Sequence, residues 1–361
     1  MATYVPDATN ASEPVGTRPI STAAPEFRAL KQRVNQLTTG MGKNKIINGK
    51  MEIAQRGTSF AAVVAGQYTL DRWRFSSNTT SAVITVSQQS DVPSSNEFQN
   101  SLRLAVTTAD TTIASTDQVN IQQRIEGYNV RDLIGKTFAL SFWVRSTKTG
   151  THCAYFQNSA QDRTFVVEYT VSASNTWESK TVTVSGGLIT AGTWDWTTGT
   201  GLLVGWTLAA GSTAQTTAGA WQTGTFFATS AQVNCLDSTS NIFAITGVQL
   251  EVGSVATPFE HRPYQTELAL AQRYYEVGGN ENIYSGYANS GSAYYDAVRY
   301  AVVKRATPST IVFSDVANVG FPNSAPTLGS NNASGFYAQK TSNATSTAAY
   351  FQYSWTSNAE L

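Results

Sequence analysis

The sequence is poor in charge. Asp, Glu, Lys and Arg make up only 13% of its 361 residues, against about 25% in ordinary soluble domains. The 24 basic and 24 acidic residues balance, so the formal net charge is zero. Nucleic-acid binding needs clustered Lys and Arg to neutralise phosphates, and the composition therefore argues against a nucleic-acid partner.

Cysteine, histidine and long apolar runs are scarce as well. We expect Cys153 and Cys235 to be free, buried thiols rather than a bridge. His152 and His261 are far apart and have no cluster of metal-ligand spacing around them, so no metal or other cofactor is predicted, and His152 should lie at a sheet surface or an oligomer interface. The most apolar stretch, 201–211, is far shorter than the roughly 20 residues of a membrane-spanning helix. With no signal-peptide pattern at the N-terminus, we expect no membrane insertion.

Polar small residues and aromatics take the place of charge, with 8 Trp, 16 Tyr and 16 Phe. Apolar residues alternate with polar ones in many segments between residues 45 and 263, for example at 102–106, 138–144 and 165–171. Period-two alternation predicts strands with one buried face. About ten such strands without a helical interruption predict a jelly-roll β-sandwich over residues 43–263.

The N-terminal region has a different pattern. Residues 1–23 are rich in Pro, Gly, Ser and Thr and cannot bury enough apolar area to fold alone, so they predict an extended tail that lies against a partner. Residues 24–42 carry apolar residues at spacings of three and four, which predicts a short coiled-coil helix for oligomerisation: Phe27, Leu30, Val34, Leu37 and Met41. A helix docked on its own domain is the alternative, and so short a coiled coil needs help from the β-domains.

The C-terminal third contains a helix and a second β-rich unit. Helical spacing of apolar residues predicts a connecting helix over 264–278, and strand alternation returns in a Tyr-rich C-terminal β-domain at 279–361. The predicted fold class is therefore mainly β. It combines a jelly-roll β-sandwich with a smaller C-terminal β-sandwich, preceded by an extended tail and a short helix.

Four sets of segments resemble bacteriophage tail fibre and tail-associated proteins. The motif NGKMEIAQRGTSF at 48–60, followed by YTLDRWRF at 68–75, resembles the start of their carbohydrate-binding-like jelly-roll domain. Its closing strand and exit helix are similar to GVQLEVG at 247–253, ATPFEHRPY at 256–264 and residues 267–276. KRATPS at 304–309 and NAEL at 358–361 resemble the C-terminal β-domain, and EFRALK at 26–31 resembles a segment near the N-termini of virion-attached proteins.

This resemblance implies a structural protein of the phage virion, assembled in the host cytoplasm and exposed on the particle. Residues 1–23 would attach to another virion protein, a tail or capsid socket, and the chain would form a homotrimer. The distal C-terminal β-domain would bind a host cell-surface glycan or protein during adsorption. A head-attached fibre or decoration protein with the same domains is the alternative.

An enzymatic function is not expected. A glycan hydrolase needs two carboxylates placed on either side of the scissile bond, and the sequence cannot pair any two of the candidates: Asp71, Glu126, Asp132, Glu168, Asp195 and Glu251. Asp71 has a structural interpretation, because it lies between strand residues beside Arg72 and Trp73. The coil repeat of a parallel β-helix is absent. A surface-polysaccharide hydrolase is the less favoured alternative.

Glycan binding suits the composition better, because aromatic faces hold the C–H surfaces of sugars and a few polar groups bind the hydroxyls. Tyr353 and Trp355 share a strand face with Phe351, so we assign them to the core. The candidate receptor-binding residues lie in Gly-, Ser- and Asn-rich segments: Tyr284, Tyr287, Tyr294, Tyr295 and Tyr337, with Trp194 and Trp196 as a second patch.

Overall fold

A computed structural model describes residues 42–94 and 97–361, with the backbone alone at 281–282. The predicted tail at 1–23 and the predicted heptad residues, Phe27, Leu30, Val34, Leu37 and Met41, lie outside the described residues. Asn44–Leu361 forms one compact unit. The fold of this unit is mainly β, as the alternation predicts.

The first part of the unit is a jelly-roll β-sandwich. Its strands, in chain order, are β1 (Ser59–Phe60), β2 (Arg74–Asn78), β3 (Val83–Gln89), β4 (Ser101–Thr108), β5 (Gln118–Glu126), β6 (Phe138–Ser146), β7 (Gly150–Gln157), β8 (Arg163–Val171), β9 (Glu178–Val184), β10 (Thr200–Ala210), β11 (Trp221–Thr223) and β12 (Ile242–Val252). Short 3-10 helices at Gly127–Asn129, Arg131–Leu133 and Ser212–Ala214 join some of them. The strands form two antiparallel sheets, which we call sheet A (β1-β3-β4-β12-β6-β9) and sheet B (β11-β8-β7-β10-β5-β2).

Aromatic side chains from the two sheets meet in one core. The ring of Phe142 on sheet A lies 5.5 Å from that of Trp206 on sheet B, edge to face, and Phe138 meets Phe156 at 5.3 Å. Such pairs add about 0.5–1.5 kcal/mol each to the effect of burial. The predicted alternation therefore identifies the inner faces of these strands correctly.

The outer face of sheet B is covered over part of its width by residues 211–235. Cys153, Tyr155 and Leu203 point to this side and form a second apolar cluster with the covering segment. Backbone carbonyls of the segment accept hydrogen bonds from the sheet, for example that of Phe226 from Gln157 at 2.9 Å. These strands are consequently buried on both faces.

The thiol prediction is confirmed, whereas the prediction for His152 is wrong. Cys153 and Cys235 are free and buried, and burial raises the pKa of Cys235 to about 12. His152 is fully buried between the rings of Tyr169 and Phe243, at 5.6 and 6.2 Å. It lies inside the sandwich rather than at a sheet surface, because its strand position faces the core.

The connecting helix α1 spans Tyr264–Gln272 and is shorter than the predicted 264–278. Tyr275 already begins the next strand, which pairs with the last strand of the chain from Tyr275 onward. At Gly278 the indole of Trp355 lies so close that a Cβ atom would stand 2.1 Å from it. The packing of Trp355 on this backbone favours an extended conformation over a further helical turn.

The remaining strands form the smaller C-terminal sandwich: β13 (Tyr275–Ala288), β14 (Ala293–Arg299), β15 (Thr310–Val319), β16 (Thr327–Asn332), β17 (Gly335–Thr341) and β18 (Ser346–Asn358). They form two antiparallel three-stranded sheets, sheet C (β13-β18-β15) and sheet D (β14-β17-β16). Phe336 of sheet D packs on Trp355 of sheet C with ring centroids 5.0 Å apart. Tyr353 and Trp355 are buried, which confirms their assignment to the core.

Buried ion pairs join the C-terminal sandwich to the jelly roll. Arg72, which is 1% exposed, pairs with Glu360 and lies over the ring of Tyr274 at 3.6 Å. Glu126 at the end of β5 accepts two hydrogen bonds from Arg273, at 2.7 and 2.9 Å. These contacts link the jelly roll to both ends of the C-terminal sandwich, and we refer to them as the junction.

Candidate functional site

Two of the predicted tyrosines lie together on the outer face of sheet D. Tyr295 on β14 is 55% exposed and Tyr337 on β17 is 49% exposed. Tyr295 pairs with Gln339 and Tyr337 pairs with Ala297, so the two tyrosines are diagonal neighbours on one face. We call this surface the Tyr295–Tyr337 face.

The sequence explains why these rings stay outside. Along β14 the exposure alternates at every residue, with Tyr294 and Val298 turned inward and Tyr295 and Ala297 turned outward. On β16 the neighbouring residue is Gly329, and a Cβ atom there would lie 3.5 Å from both the Tyr295 ring and the Tyr337 Cβ. The glycine therefore leaves the space beside the two rings open.

A shallow cavity of about 190 Å³ adjoins Tyr337. Its lining is mostly polar or small, and includes Ala297, Arg299, Ser330, Asn332 and Ser334. Arg299 is exposed and forms no ion pair with any described residue. An aromatic face beside a cavity with hydroxyl, amide and guanidinium groups matches what a sugar ring needs, an apolar contact and several hydrogen-bonding groups.

The other candidate tyrosines are not part of this face. Tyr284 and Tyr294 are half-buried and pack on the C-terminal core, each within 6 Å of Phe321. Their inward strand positions turn the rings toward the core, so we do not include these two candidates in the site. Tyr287 is 51% exposed but lies on β13 of sheet C, and its hydroxyl donates to Asn289.

Trp194 and Trp196 form a stacked pair on the jelly roll. Their ring planes are 9° apart with centroids at 5.1 Å, and Trp194 also meets the edge of Trp221 at 5.7 Å. Both are half-buried against the jelly-roll core, and the Trp194 indole donates to the Ala191 carbonyl at 2.9 Å. Because their faces are occupied largely by each other and by the core, we do not include them in the candidate site.

The candidate carboxylates are each engaged by neighbours of their own. Asp71 is buried, accepts hydrogen bonds from Gln55 and lies 3.6 Å from Arg56, which confirms its structural interpretation. Glu126 is bound by Arg273 and Tyr274. The remaining carboxylates have the following partners: Lys45 for Asp132, Thr229 for Glu168, Thr197 for Asp195, and Gln249 and Thr257 for Glu251.

The described residues also bear on metal binding and on membrane crossing. No group of three or more His, Cys, Asp or Glu side chains among them could hold a metal ion. Of the helices in residues 42–94 and 97–361, none has the length and apolar character that crossing a membrane requires.

Sequence reasoning points to Asn332 among the polar residues near the tyrosines but misses Arg299 and Ser330, which also line the cavity. Arg299 ends β14, and Ser330 and Asn332 belong to the edge strand β16, whose Gly-Ser-Asn-Asn composition is typical of a turn. The Asn332 side chain accepts from the backbone of Ser334 at 2.7 Å, which shapes this end of the cavity. The only signal in the sequence was the density of Asn and Ser near Tyr337.

No protein-family model matches the sequence, and no curated protein matches it. Among solved structures, the enzymatically active domain of tailspike protein 4 of bacteriophage CBA120 is similar over 58% of this chain, at 17% identity and a TM-score of 0.33. The match spans 22% of the tailspike chain, about a fifth of its length.

Two carbohydrate-binding modules are similar as well. TmCBM61, solved with β-1,4-galactotriose, is matched over 58% of this chain and 99% of its own, at 12% identity and a TM-score of 0.28. The family 11 module of the Clostridium thermocellum cellulase Lic26A-Cel5E is matched over 55% and 98%, at 11% identity and a TM-score of 0.31. At these identities and TM-scores, the similarities assign neither a function nor a ligand to this chain.

Proposed function

We propose that the protein is a fibre component of a phage virion that binds a glycan on the host surface through the Tyr295–Tyr337 face. The observation that carries the proposal is the pair of half-exposed tyrosines on the outside of sheet D, with a polar cavity beside Tyr337. The segments that resemble phage tail fibre proteins support the setting. A host protein is the alternative receptor.

The geometry supports sugar binding in particular. Tyr295 and Tyr337 offer ring faces for the C–H surface of a sugar, while Arg299, Ser330 and Ser334 supply groups for its hydroxyls. Most residues of the site lie on paired strands, which fix their backbone positions without ligand. A preorganised backbone lowers the entropic cost of binding.

The test is a binding experiment with the full chain on an array of bacterial surface oligosaccharides. For an oligosaccharide that binds, we expect Tyr337→Ala to raise the Kd at least tenfold, about 1.4 kcal/mol, because the ring contact is lost. Tyr128→Ala is the matched control, since Tyr128 is 54% exposed and lies on the jelly roll. Calorimetric titration measures the Kd of the wild type and of both variants.

Two results would contradict glycan binding at this face. One is the absence of any bound oligosaccharide on the array. The other is a Tyr337→Ala variant with the same Kd as the wild type, which would place the binding surface elsewhere. Tyr337→Phe should keep most of the affinity if the ring face, rather than the hydroxyl, makes the contact.

We further propose a homotrimer, in which sheet C supplies the contact that the short predicted helix at 24–42 cannot provide alone. The outer face of sheet C exposes a set of large aliphatic side chains, each 41–53% exposed: Val277, Ile283, Val312, Val316 and Val319. The described side chains on this face are uncharged, and Val277 and Val312 flank Thr356 on the central strand. Copies of an uncharged face can meet without like-charge repulsion, so we assign its occupant as another copy of this chain.

Sedimentation of the full chain tests the trimer. We expect a mass near 116 kDa, three times 38.8 kDa, and a smaller mass for Leu30→Asp and for Val312→Glu, because each buries an unpaired charge in the contact. Thr347→Glu is the control, at an exposed position near the start of β18. A wild-type mass of 38.8 kDa, or unchanged masses in both variants, would contradict the proposal.

Attachment through residues 1–23 to a tail socket completes the proposal, and immunolabelling of particles distinguishes it from attachment to the head.

We propose a non-enzymatic role, supported by the separate partners of the candidate carboxylates. Release of reducing ends from host polysaccharide by the purified chain would instead favour the hydrolase.

A further inference from the structure

Two arginines stand side by side on the outer face of sheet B. Arg74 on β2 pairs with Gln122 on β5, and Arg124 lies two residues further along β5, so the two arginines are diagonal neighbours on one face. Phe75, the residue after Arg74 on β2, points to the opposite side, into the jelly-roll core. This location is on a different domain from the Tyr295–Tyr337 face.

Neither guanidinium is paired. In the described part of the chain, no carboxylate forms an ion pair with Arg74 or Arg124, and no side-chain hydrogen bond of either is formed. The Nε atom of Arg124 is buried without a partner. Burial and the positive charge of Arg124 lower the pKa of Arg74. Both side chains are half-buried, so water solvates their charges only in part, and an anionic partner would stabilise the pair.

Tyr155 and Phe227 pack together on the same side of sheet B as the two arginines. The ring of Tyr155 lies over Gly205, where a Cβ atom would stand 2.3 Å from it, and so extends across β10 toward β5. The Tyr155 hydroxyl donates to Asn120 at 2.7 Å, and burial raises the pKa of this phenol, which stays neutral. Half-buried Phe227 meets the Tyr155 ring edge to face at 5.1 Å.

The Arg74 guanidinium is also confined from the other side. One of its Nη atoms lies 3.1 Å from the place where a Cβ atom on Gly66 would stand. Gly66 has a φ of +88°, a conformation that favours glycine. The turn at Gly66 therefore helps to hold the Arg74 guanidinium close to Arg124.

We infer that Arg74 and Arg124 form a binding site for an oxyanion group of an acidic glycan, a carboxylate or a phosphate ester. Guanidinium forks bind such groups through two parallel hydrogen bonds, and an oxyanion would neutralise the two charges that repel each other. Half-buried Phe227 lies on the same side of the sheet and is available to the sugar itself, whereas the Asn120 and Gln122 amides there are buried. The site is independent of the proposed function of the Tyr295–Tyr337 face.

The test uses the full chain with polygalacturonate oligomers as the carboxylate probe, inorganic phosphate as the phosphate probe and neutral galactan oligomers as the control. We expect polygalacturonate to bind more weakly as salt is added. Arg74→Gln and Arg124→Gln should each raise its Kd at least tenfold. Arg131→Gln removes the same charge at an exposed position and should leave the Kd unchanged. Competition by inorganic phosphate indicates a site open to phosphate, and its absence indicates a carboxylate-bearing sugar.

Thermal unfolding without ligand separates binding from a structural role. We expect Arg74→Gln and Arg124→Gln to keep or raise the Tm, because each removes a like-charge repulsion. A Tm lowered by several degrees in both variants would overturn the inference, as would wild-type protein that binds neither probe. Tyr337→Ala should keep its affinity for polygalacturonate, so failure of the glycan site on sheet D would leave this result unaffected.

Discussion

The two sandwiches of this chain differ in how much of each sheet they bury. On β10 of the jelly roll every residue after the first is buried, since residues 211–235 cover the outer face of the sheet. On β14 of the C-terminal sandwich, exposed and half-buried residues alternate along the whole strand. The strand β10 therefore has little freedom to vary, whereas β14 can change its outward-facing residues without disturbing the core.

This contrast also separates two kinds of aromatic residue. In the jelly roll, rings such as Trp206 and Phe142 fill the space between the sheets. In the C-terminal sandwich, Phe336 and Trp355 do the same, but Tyr295 and Tyr337 remain on the outside. The outer face of sheet D therefore carries aromatic side chains that the core of the C-terminal sandwich does not use.

The junction gives the largest expected effect, and breaking it would uncouple the two sandwiches. In Glu360→Gln, buried Arg72 loses its carboxylate partner, and Arg56 loses a contact of 3.0 Å. We expect a loss of about 3–5 kcal/mol in the free energy of unfolding. Calorimetry should show one transition for the wild type and two for the variant.

Glu97→Gln is the control for this experiment, because Glu97 is exposed and forms no ion pair with a described residue. An unchanged free energy of unfolding in Glu360→Gln would mean that the buried pair is not needed to hold the sandwiches together. Hydrophobic contacts among Ile53, Ala271 and Tyr274 would then carry the coupling.

A smaller effect on the free energy of unfolding is expected from substitutions at two separate glycines of the C-terminal sandwich. Gly278→Ala places a Cβ atom 2.1 Å from the Trp355 indole, whereas Gly329→Ala meets its neighbours at 3.4–3.5 Å, an ordinary contact. We expect the first to lose about 1–3 kcal/mol by overpacking and the second to stay within about 0.5 kcal/mol. Urea unfolding measures both, and equal losses would contradict the division between a sensitive inner face and a tolerant outer face.

The smallest expected effect is on the pH dependence of stability, and it arises from His152 in the jelly roll. Burial lowers the pKa of His152 from 6.5, so the folded state binds fewer protons than the unfolded state below that pH. The stability that the neutral ring confers is therefore complete above pH 6.5 and declines as the pH falls below it. The Nδ1 atom of His152 lies 3.8 Å from the Cys235 sulfur, a weak hydrogen-bond acceptor that would stabilise a protonated ring only slightly.

Thermal unfolding between about pH 5 and 8 should therefore show a weaker pH dependence in His152→Gln than in the wild type, as expected for about one titrating group. His261→Gln is the control, since His261 is the other histidine of the chain. If His261→Gln, and not His152→Gln, flattened the profile, the assignment to the buried ring would be wrong.

The sequence predicts the strands well because alternation is a local signal. Tyr353 and Trp355 could be assigned to the core from Phe351 alone, since residues two apart on a strand share a face. The cover on sheet B could not be predicted, because Cys153, Tyr155 and Leu203 are buried by a segment that is distant along the chain. The Arg72–Glu360 pair, 288 residues apart, has no local signal either.

The candidate site shows the same limit. Tyr284, Tyr294, Tyr295 and Tyr337 share composition and setting, yet register turns two inward and two outward. The order of the sheets then brings Tyr295 and Tyr337 onto one face and leaves Tyr287 on another sheet. Composition predicts the residue types of the site, whereas register and sheet order, which depend on long-range pairing, decide its members.

The two sheets of the C-terminal sandwich face in opposite directions, and this has a consequence for avidity. In the proposed trimer, with the outer face of sheet C toward the axis, the three Tyr295–Tyr337 faces would point away from one another. Three such outward sites would engage receptors spread around the assembly rather than a single molecule at its tip. Attachment would then depend on the density of receptors on the cell more than on the affinity of any one contact.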